Sequence, residues 1–184
     1  MADKFQKTNE QFKEALSSCR SIFENKLKDY GASWRIMRPA SLTDQMLIKA
    51  MRIRQFETTG EAFVDEGIFP EFQALVNYGI VALIQMKNGY ADTVDMSIES
   101  ALAAYDEMAT ETLNLMQRKN HDYDEAWRLM RVSSYTDFIL TKLNRNKEIE
   151  DHQGHTTVSE GADSNYMDII NYAVFGLIKL GEEA

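Results

Sequence analysis

Three carboxylates lie close together in the second half of the sequence, in a pattern that suits a divalent cation. Glu160 and Asp163 precede a segment that is otherwise nearly apolar from residue 166 to 178, and Asp168 lies within it. On a helix of about 100° per residue, Asp163 falls within about 60° of Glu160 and Asp168 about 80° away. Carboxylate oxygens, completed by water and substrate phosphate, are the ligands that Mg²⁺ requires. We therefore predict a magnesium site with Glu160, Asp163 and Asp168 as ligands.

Structural roles compete with this interpretation. Asn171 lies on the same helix edge, and Asn77 is its counterpart in an apolar segment of the first half. The two amides could hydrogen-bond each other across a symmetry axis, or they could contact a nucleotide. Glu160, like Glu66 in the first half, could simply stabilise the positive end of a helix.

Cations and aromatic rings form a second set of candidate residues. The sequence Trp-Arg-x-Met-Arg occurs at 34–38 and at 127–131, and a Lys-x-x-Arg pair follows each copy. Residues three apart on a helix share a face, so each pair presents two cations together. Arginine forks suit phosphate oxygens and indoles suit base stacking. The candidate nucleotide-binding residues of this set are Trp34, Arg35, Lys49, Arg52, Tyr123, Trp127, Arg128, Lys142 and Arg145.

This second set also has an architectural alternative, in which each tryptophan fills the core and the arginines form ion pairs. Their partners would then be Asp29, Asp122, Glu57 or Glu150. The histidines offer a further alternative, a zinc site made by His121, His152 and His155. They have no counterparts in the first half of the chain.

All these residues belong to a sequence that is written twice. Asp29-Tyr30, Trp34-Arg35 and Lys49, among others, recur 93 positions later, and after one inserted residue the match continues through Val64 and Glu66 to Ile84. The protein is therefore a tandem duplication of a unit of about 90 residues. A unit of that size predicts that the two halves share a core. We expect one domain, 1–184, built of a first repeat (1–92) and a second repeat (93–184).

The apolar spacing predicts three helices in each repeat, and hence an all-α helical bundle with internal pseudo-twofold symmetry. The predicted helices span about 6–30, 41–58 and 68–87, then 95–122, 134–150 and 160–180. The second helix of each repeat should begin at a capping box, Ser41 to Asp44 or Ser134 to Asp137. The third helices are apolar on nearly all sides, which is typical of helices at the centre of a core.

Composition and charge limit the classes of function. A net charge of −9 argues against direct binding of duplex nucleic acid, because phosphate neutralisation drives that binding. It leaves room for a nucleotide as partner. The polar N-terminal residues argue against a signal peptide or membrane anchor, and the single Cys19 suits a cytoplasmic location. Ten methionines and long amphipathic helices suit a homo-oligomer.

The motif Lys119-Asn120-His121-Asp122-Tyr123 is followed by Lys-x-x-Arg, by Glu, and by Asp with Asn-Tyr further on. This succession resembles the nucleotide modification associated domain type 1 family, here in a duplicated form that covers nearly all of both halves. More distantly, the helix pattern resembles the MazG-type all-α nucleoside triphosphate pyrophosphohydrolases. That resemblance implies Mg²⁺-dependent hydrolysis of a nucleoside triphosphate to the monophosphate and pyrophosphate.

The mechanism that follows places Mg²⁺ on the three acidic ligands, with Glu150 as a further ligand or as the base that orients water. Lys142, Arg145 and Arg128 would neutralise the phosphates, and Trp127 or Tyr123 would stack on the base. The first repeat, with Phe69 and Ala74 at the positions of Asp163 and Asp168, would be the degenerate copy. The alternatives are a non-catalytic helical module that binds a nucleotide or a partner protein, and a purely structural homodimer.

Overall fold

A computed structural model describes residues 4–61 and 67–184, and every regular element among them is helical. The all-α prediction is confirmed. Val64 and Glu66 lie outside the described residues. The helices are α1 (Gln6–Tyr30), α2 (Pro39–Thr59), α3 (Phe69–Asn88), α4 (Ile98–Tyr123), α5 (Val132–Asp151) and α6 (Ala162–Glu183). Short 3-10 turns at Ser33–Ile36 and Ala126–Leu129 precede α2 and α5.

The predicted capping boxes are wrong. Both helices begin two residues before the predicted serine, after Arg38 and Arg131, and neither N-cap makes a side-chain hydrogen bond. Pro39 occupies the first helical position of α2, where its fixed φ favours a helix start and its missing N–H costs nothing. A side-chain cap does begin α4, where the Ser97 hydroxyl accepts a hydrogen bond from the backbone N–H of Ser100 at 3.1 Å.

The third helices, α3 and α6, lie at the centre of the molecule and pack against each other. Glycines let their backbones approach closely. A Cβ built at Gly79 would lie 2.6 Å from Ile170 Cγ1, and one built at Gly176 would lie 2.9 Å from the ring of Phe72. The apolar character of both segments is therefore explained by burial, as the sequence indicated.

The two repeats contact each other in a reciprocal way. The helix pairs α1–α4, α2–α5 and α3–α6 each join corresponding helices, and α2–α3 in the first repeat corresponds to α5–α6 in the second. Two hydrogen bonds follow the same pattern. The Thr43 hydroxyl donates to Glu150 Oε1 and the Thr136 hydroxyl donates to Glu57 Oε1, each at 2.7 Å. One hydrophobic cluster contains residues of both repeats.

No helix within the described ranges is long and apolar enough to cross a membrane.

Candidate functional site

The carboxylate of Asp168 lies in the middle of a buried helix and is bound by two lysines from two other helices. Asp168 is 7% exposed. Lys119, in the last turn of α4, places Nζ 2.5 Å from Asp168 Oδ1, and Lys142, on α5, places Nζ 2.9 Å from Oδ2. A buried carboxylate needs such partners, because desolvating its charge is costly. The structure thus brings Lys142 to Asp168, and it adds Lys119.

Further polar groups surround this pair of lysines. Burial and the nearby Asp168 carboxylate raise the pKa of the Tyr172 phenol, and Lys119 and Arg145 oppose that rise. Tyr123 acts on the same phenol, so both Tyr123 and Arg145 lie in the neighbourhood of Tyr172. Arg145 is exposed and makes no ion pair with any described residue. We call Lys119, Lys142 and Arg145, together with Asp168, the cationic cluster.

The structure does not bring the three predicted magnesium ligands together. Glu160 and Asp163 are exposed at the start of α6, whereas both oxygens of Asp168 are held by ammonium groups. Within 4–61 and 67–184, no group of three or more His, Cys, Asp or Glu side chains could hold a metal ion. These residues do not fit a resident ion in this arrangement. The magnesium site stays a prediction, and no step of a mechanism is derived through it.

The predicted general base, Glu150, lies at the contact between the two repeats. It accepts hydrogen bonds from Thr43 at 2.7 Å and from the Tyr166 hydroxyl at 2.8 Å. Burial raises the pKa of that phenol well above its usual value, so the hydroxyl stays a donor. Glu150 lies eight residues after Lys142, which separates the two backbone positions by about 12 Å along α5.

Trp127 and Arg128 are engaged in packing and ion pairing. Trp127 is 5% exposed, stacks on Phe175 with 4.5 Å between ring centroids, and donates its indole N–H to Glu125 at 3.0 Å. Arg128 donates to Glu125 at 3.0 Å and to Thr8 at 2.8 Å. Burial acts to raise the Glu125 pKa, but hydrogen bonds from Thr8 and Asn120 and the charge of Arg128 hold it below its usual value. The carboxylate that pairs with Arg128 is Glu125, whereas the architectural alternative expected Asp122 or Glu150.

The cations of the first repeat are also paired. Arg35 is buried and bonds Asp95 at 2.8 Å. Lys49 and Arg52 both pair with the buried carboxylate of Glu71, Lys49 at 3.5 Å. The alternative that the arginines form ion pairs therefore holds here too, with partners other than those expected from the sequence.

The alternative in which Asn77 and Asn171 hydrogen-bond each other is wrong. Asn77 donates to the Cys19 carbonyl at 3.0 Å and accepts from the Tyr105 hydroxyl at 2.7 Å. Asn171 is buried on α6, and its Oδ1 has no hydrogen-bond partner. The reason is geometric, because α1 and α4 supply the nearer partners for Asn77.

The three histidines do not form a group that could hold zinc with other described residues. His121 lies at the end of α4 beside Asp122, whereas His152 and His155 line an open hollow beside the C-terminal half of α5.

Two residues with clear roles were missing from the sequence-based set of candidates. Lys119 belongs to the Lys-Asn-x-Asp-Tyr motif, so its spacing was available as a signal, but nothing in the sequence placed it against Asp168. Glu125 lacks a counterpart, because the first repeat has Ala32 at that position.

Comparison with known proteins identifies both halves. Residues 26–86 and 119–180 match the family described as nucleotide modification associated domain 1. No curated protein matches the chain, and no solved structure matches it.

Proposed function

Because the chain belongs to the nucleotide modification associated domain 1 family and carries the domain twice, we propose that it is a nucleotide-binding module whose cationic cluster holds the phosphates. The name of the family supports a nucleotide as the partner. Catalysis, the alternative, makes a different demand on the same residues.

The observation that carries the proposal is the charge balance at Asp168. Lys119 and Lys142 bind one buried carboxylate, and Arg145 acts on the Tyr172 phenol together with Asp168 and Lys119. The three cations outnumber the one carboxylate, so the cluster keeps an excess of positive charge on a chain whose net charge is −9. Asp168 holds the two lysines in place, and Arg145 has no ion-pair partner among the described residues. A phosphate would accept hydrogen bonds from all three cations while Asp168 continues to orient the lysines.

An exposed aromatic ring next to this cluster supplies the second kind of contact that a nucleotide needs. Tyr123 is 71% exposed and lies four residues after Lys119, one turn along α4. Its ring offers a face for base stacking, which tolerates any base. Trp127 is proposed to support the site from within the core rather than to contact the base, because its ring is covered by Phe175.

The hydrolysis of a nucleoside triphosphate, as expected from the MazG resemblance, stays a prediction. It requires a cation held by carboxylates, and the carboxylate that the site offers is engaged by lysines. A cytoplasmic location and a homo-oligomeric state also stay predictions.

The test is equilibrium binding of deoxynucleoside mono- and triphosphates by calorimetry, in Mg²⁺ and in chelator, with pyrophosphate release measured in parallel. We expect binding in chelator without turnover. Lys142→Gln should weaken triphosphate binding about tenfold, the value of one hydrogen bond to a charged group. The matched control is Lys147→Gln, a half-buried lysine on the same helix whose ion-pair partner, Asp44, is 3.9 Å away, and it should change affinity less than twofold.

Each alternative has its own result. Metal-dependent release of pyrophosphate would establish the hydrolase instead. Absence of binding by folded protein, or an equal loss in Lys142→Gln and Lys147→Gln, would overturn the proposed role of the cationic cluster.

A further inference from the structure

The first repeat contains an open cavity of about 480 Å³ between α1, the first 3-10 turn and α3. Its volume lies within the roughly 300–1,000 Å³ typical of small-molecule sites. Most of its wall is apolar, and four rings contribute to it, those of Phe23, Tyr30, Trp34 and Tyr78. Lys26 is the charged side chain among the lining residues. The cavity thus offers aromatic surfaces and a single cation.

Comparison of the two repeats shows why this cation is free. Lys26 corresponds to Lys119, which is bound by Asp168, but the first repeat has Ala74 where the second has Asp168. Both Lys26 and Ala74 line the cavity. Lys26 makes no ion pair with any residue in 4–61 or 67–184. The first repeat therefore lacks the carboxylate that would pair with this lysine, and it has a methyl group where the second repeat has a carboxyl group.

The indole in the cavity wall differs between the repeats as well. Trp127 donates its N–H to Glu125 and is covered by Phe175 and by the Arg128 guanidinium, 4.3 Å from the ring centroid. Trp34 lines the cavity instead, and its buried Nε1 has no hydrogen-bond partner. Ring surface that is covered by protein in the second repeat is thus available to a ligand in the first.

We propose that this cavity is a second binding site, separate from the cationic cluster, and that it takes a nucleoside monophosphate. The base would lie among the aromatic rings and the phosphate would pair with Lys26. A single phosphate is specified because Lys26 is the one charged side chain among the described residues that line the cavity. Lys49 and Arg52, which correspond to Lys142 and Arg145 of the second repeat, are paired with Glu71. A triphosphate would bring more negative charge than one lysine can neutralise.

The experiment titrates the full chain with AMP and dTMP and follows the two indole N–H resonances by NMR, with Trp34→Phe used to assign them. We expect saturable binding that shifts the Trp34 signal and not the Trp127 signal. Adenosine, which lacks the phosphate, and ribose 5-phosphate, which lacks the base, should each bind about tenfold more weakly than AMP.

Variants locate the site. Ala74→Asp restores the carboxylate of the second repeat, so it should capture Lys26 and remove measurable AMP binding. Lys26→Gln should weaken binding about tenfold, whereas Lys28→Gln, at an exposed position of the same helix outside the cavity lining, should change it less than twofold. Lys142→Gln in the cationic cluster should leave the response of the Trp34 resonance intact.

The inference and the proposed function fail separately. Folded protein whose Trp34 resonance does not respond to AMP or dTMP, or AMP binding that survives Ala74→Asp unchanged, would overturn the cavity as a site. AMP binding that is lost in Lys142→Gln alone would overturn it too, and would assign that binding to the cationic cluster.

Discussion

Replacement of Asp168 by asparagine separates a phosphate-binding cluster from a magnesium site, because the two interpretations predict opposite changes in affinity. If Asp168 binds Mg²⁺, Asp168→Asn weakens nucleotide binding. If Asp168 is the counter-ion of Lys119 and Lys142, the same change removes a negative charge next to the phosphate and strengthens binding. The asparagine amide has nearly the shape of the aspartate carboxylate, so the substitution changes the charge of the side chain and hardly changes its size.

The size of the gain follows from the geometry of the cluster. Lys142 Nζ lies 2.9 Å from Asp168 Oδ2, and a phosphate oxygen bound on the far side of that ammonium adds about 2.8 Å, which places the two anionic groups about 6 Å apart. Unit charges at that separation repel by about 0.7 kcal/mol in bulk water and about 2.8 kcal/mol at the effective dielectric near a protein surface. The Lys119 side chain is 47% exposed and that of Lys142 is 20% exposed, so solvent screens the site in part and the repulsion lies between these two values. We therefore expect a gain of about 1 kcal/mol, or roughly fivefold in affinity.

The assay is calorimetric titration with a deoxynucleoside triphosphate at low salt, where surface electrostatics are least screened. It is run in Mg²⁺, where a magnesium site predicts weaker binding by Asp168→Asn, and in chelator, which isolates the effect of the Asp168 charge. Asp163→Asn is the matched control, because it makes the same charge change on the same helix at an exposed position, and we expect less than a twofold gain. Thermal unfolding of the same samples confirms that each variant is folded. Weaker binding by Asp168→Asn, or an equal gain in both variants, would refute the charge balance that underlies the proposed function.

Three further predictions concern stability and reactivity. Burial raises the pKa of Glu57, so above pH 4.5 the folded state binds more protons than the unfolded chain, and the free energy of unfolding falls as pH rises. Urea titrations of Glu57→Gln should show a smaller fall in the free energy of unfolding between pH 5 and pH 7 than those of the unchanged protein. An equal fall in both proteins would contradict this role of Glu57. Gly79→Ala should lower the free energy of unfolding by about 1–2 kcal/mol, since a Cβ 2.6 Å from Ile170 Cγ1 costs up to about 3 kcal/mol and the gain in helix propensity returns about 1. Gly181→Ala, with nothing within 4 Å, should not destabilise the protein, and equal losses would exclude the steric cause. Cys19 is fully buried, and burial raises the pKa of its thiol to about 12. Iodoacetamide at pH 8 should therefore modify Cys19 only after denaturation, which mass spectrometry would report. Rapid labelling of the native protein would be inconsistent with the burial of this thiol.

The helices could be predicted from the sequence because apolar spacing on one chain segment determines which face of that segment is buried. The helix predicted over about 68–87 is observed as α3 at Phe69–Asn88, and the helix predicted over about 160–180 is observed as α6 at Ala162–Glu183. The starts of α2 and α5 were misplaced because Ser-x-x-Asp is a common sequence. At α2 the stronger signal was Pro39, since proline favours the first position of a helix.

The site could be predicted only in part, because spacing assigns a side chain to a helix face without saying which helix lies opposite. Lys142 and Asp168 were both recognised as polar residues with a chemical role, but as members of different sets. Their contact depends on the packing of α5 against α6, and the contact of Lys119 depends on where α4 ends. Arg35 shows the same limit, since its partner Asp95 lies sixty positions away, in the segment that precedes α4.

The two repeats reach the same charge balance in different ways, and this difference explains why they present different sites. Each repeat places one buried carboxylate on its third helix, Glu71 on α3 and Asp168 on α6. In the register of the repeat these two positions differ by three residues, about one helical turn, because Glu71 corresponds to Asn165. A buried carboxylate must be neutralised, and each captures the two cations within its reach: Lys49 and Arg52 in the first repeat, Lys142 and Lys119 in the second. The cation left over is therefore Lys26 in one repeat and Arg145 in the other. Displacement of one carboxylate by a helical turn thus leaves a different cation without an ion-pair partner among the described residues in each repeat, Lys26 beside an aromatic cavity and Arg145 in the cationic cluster.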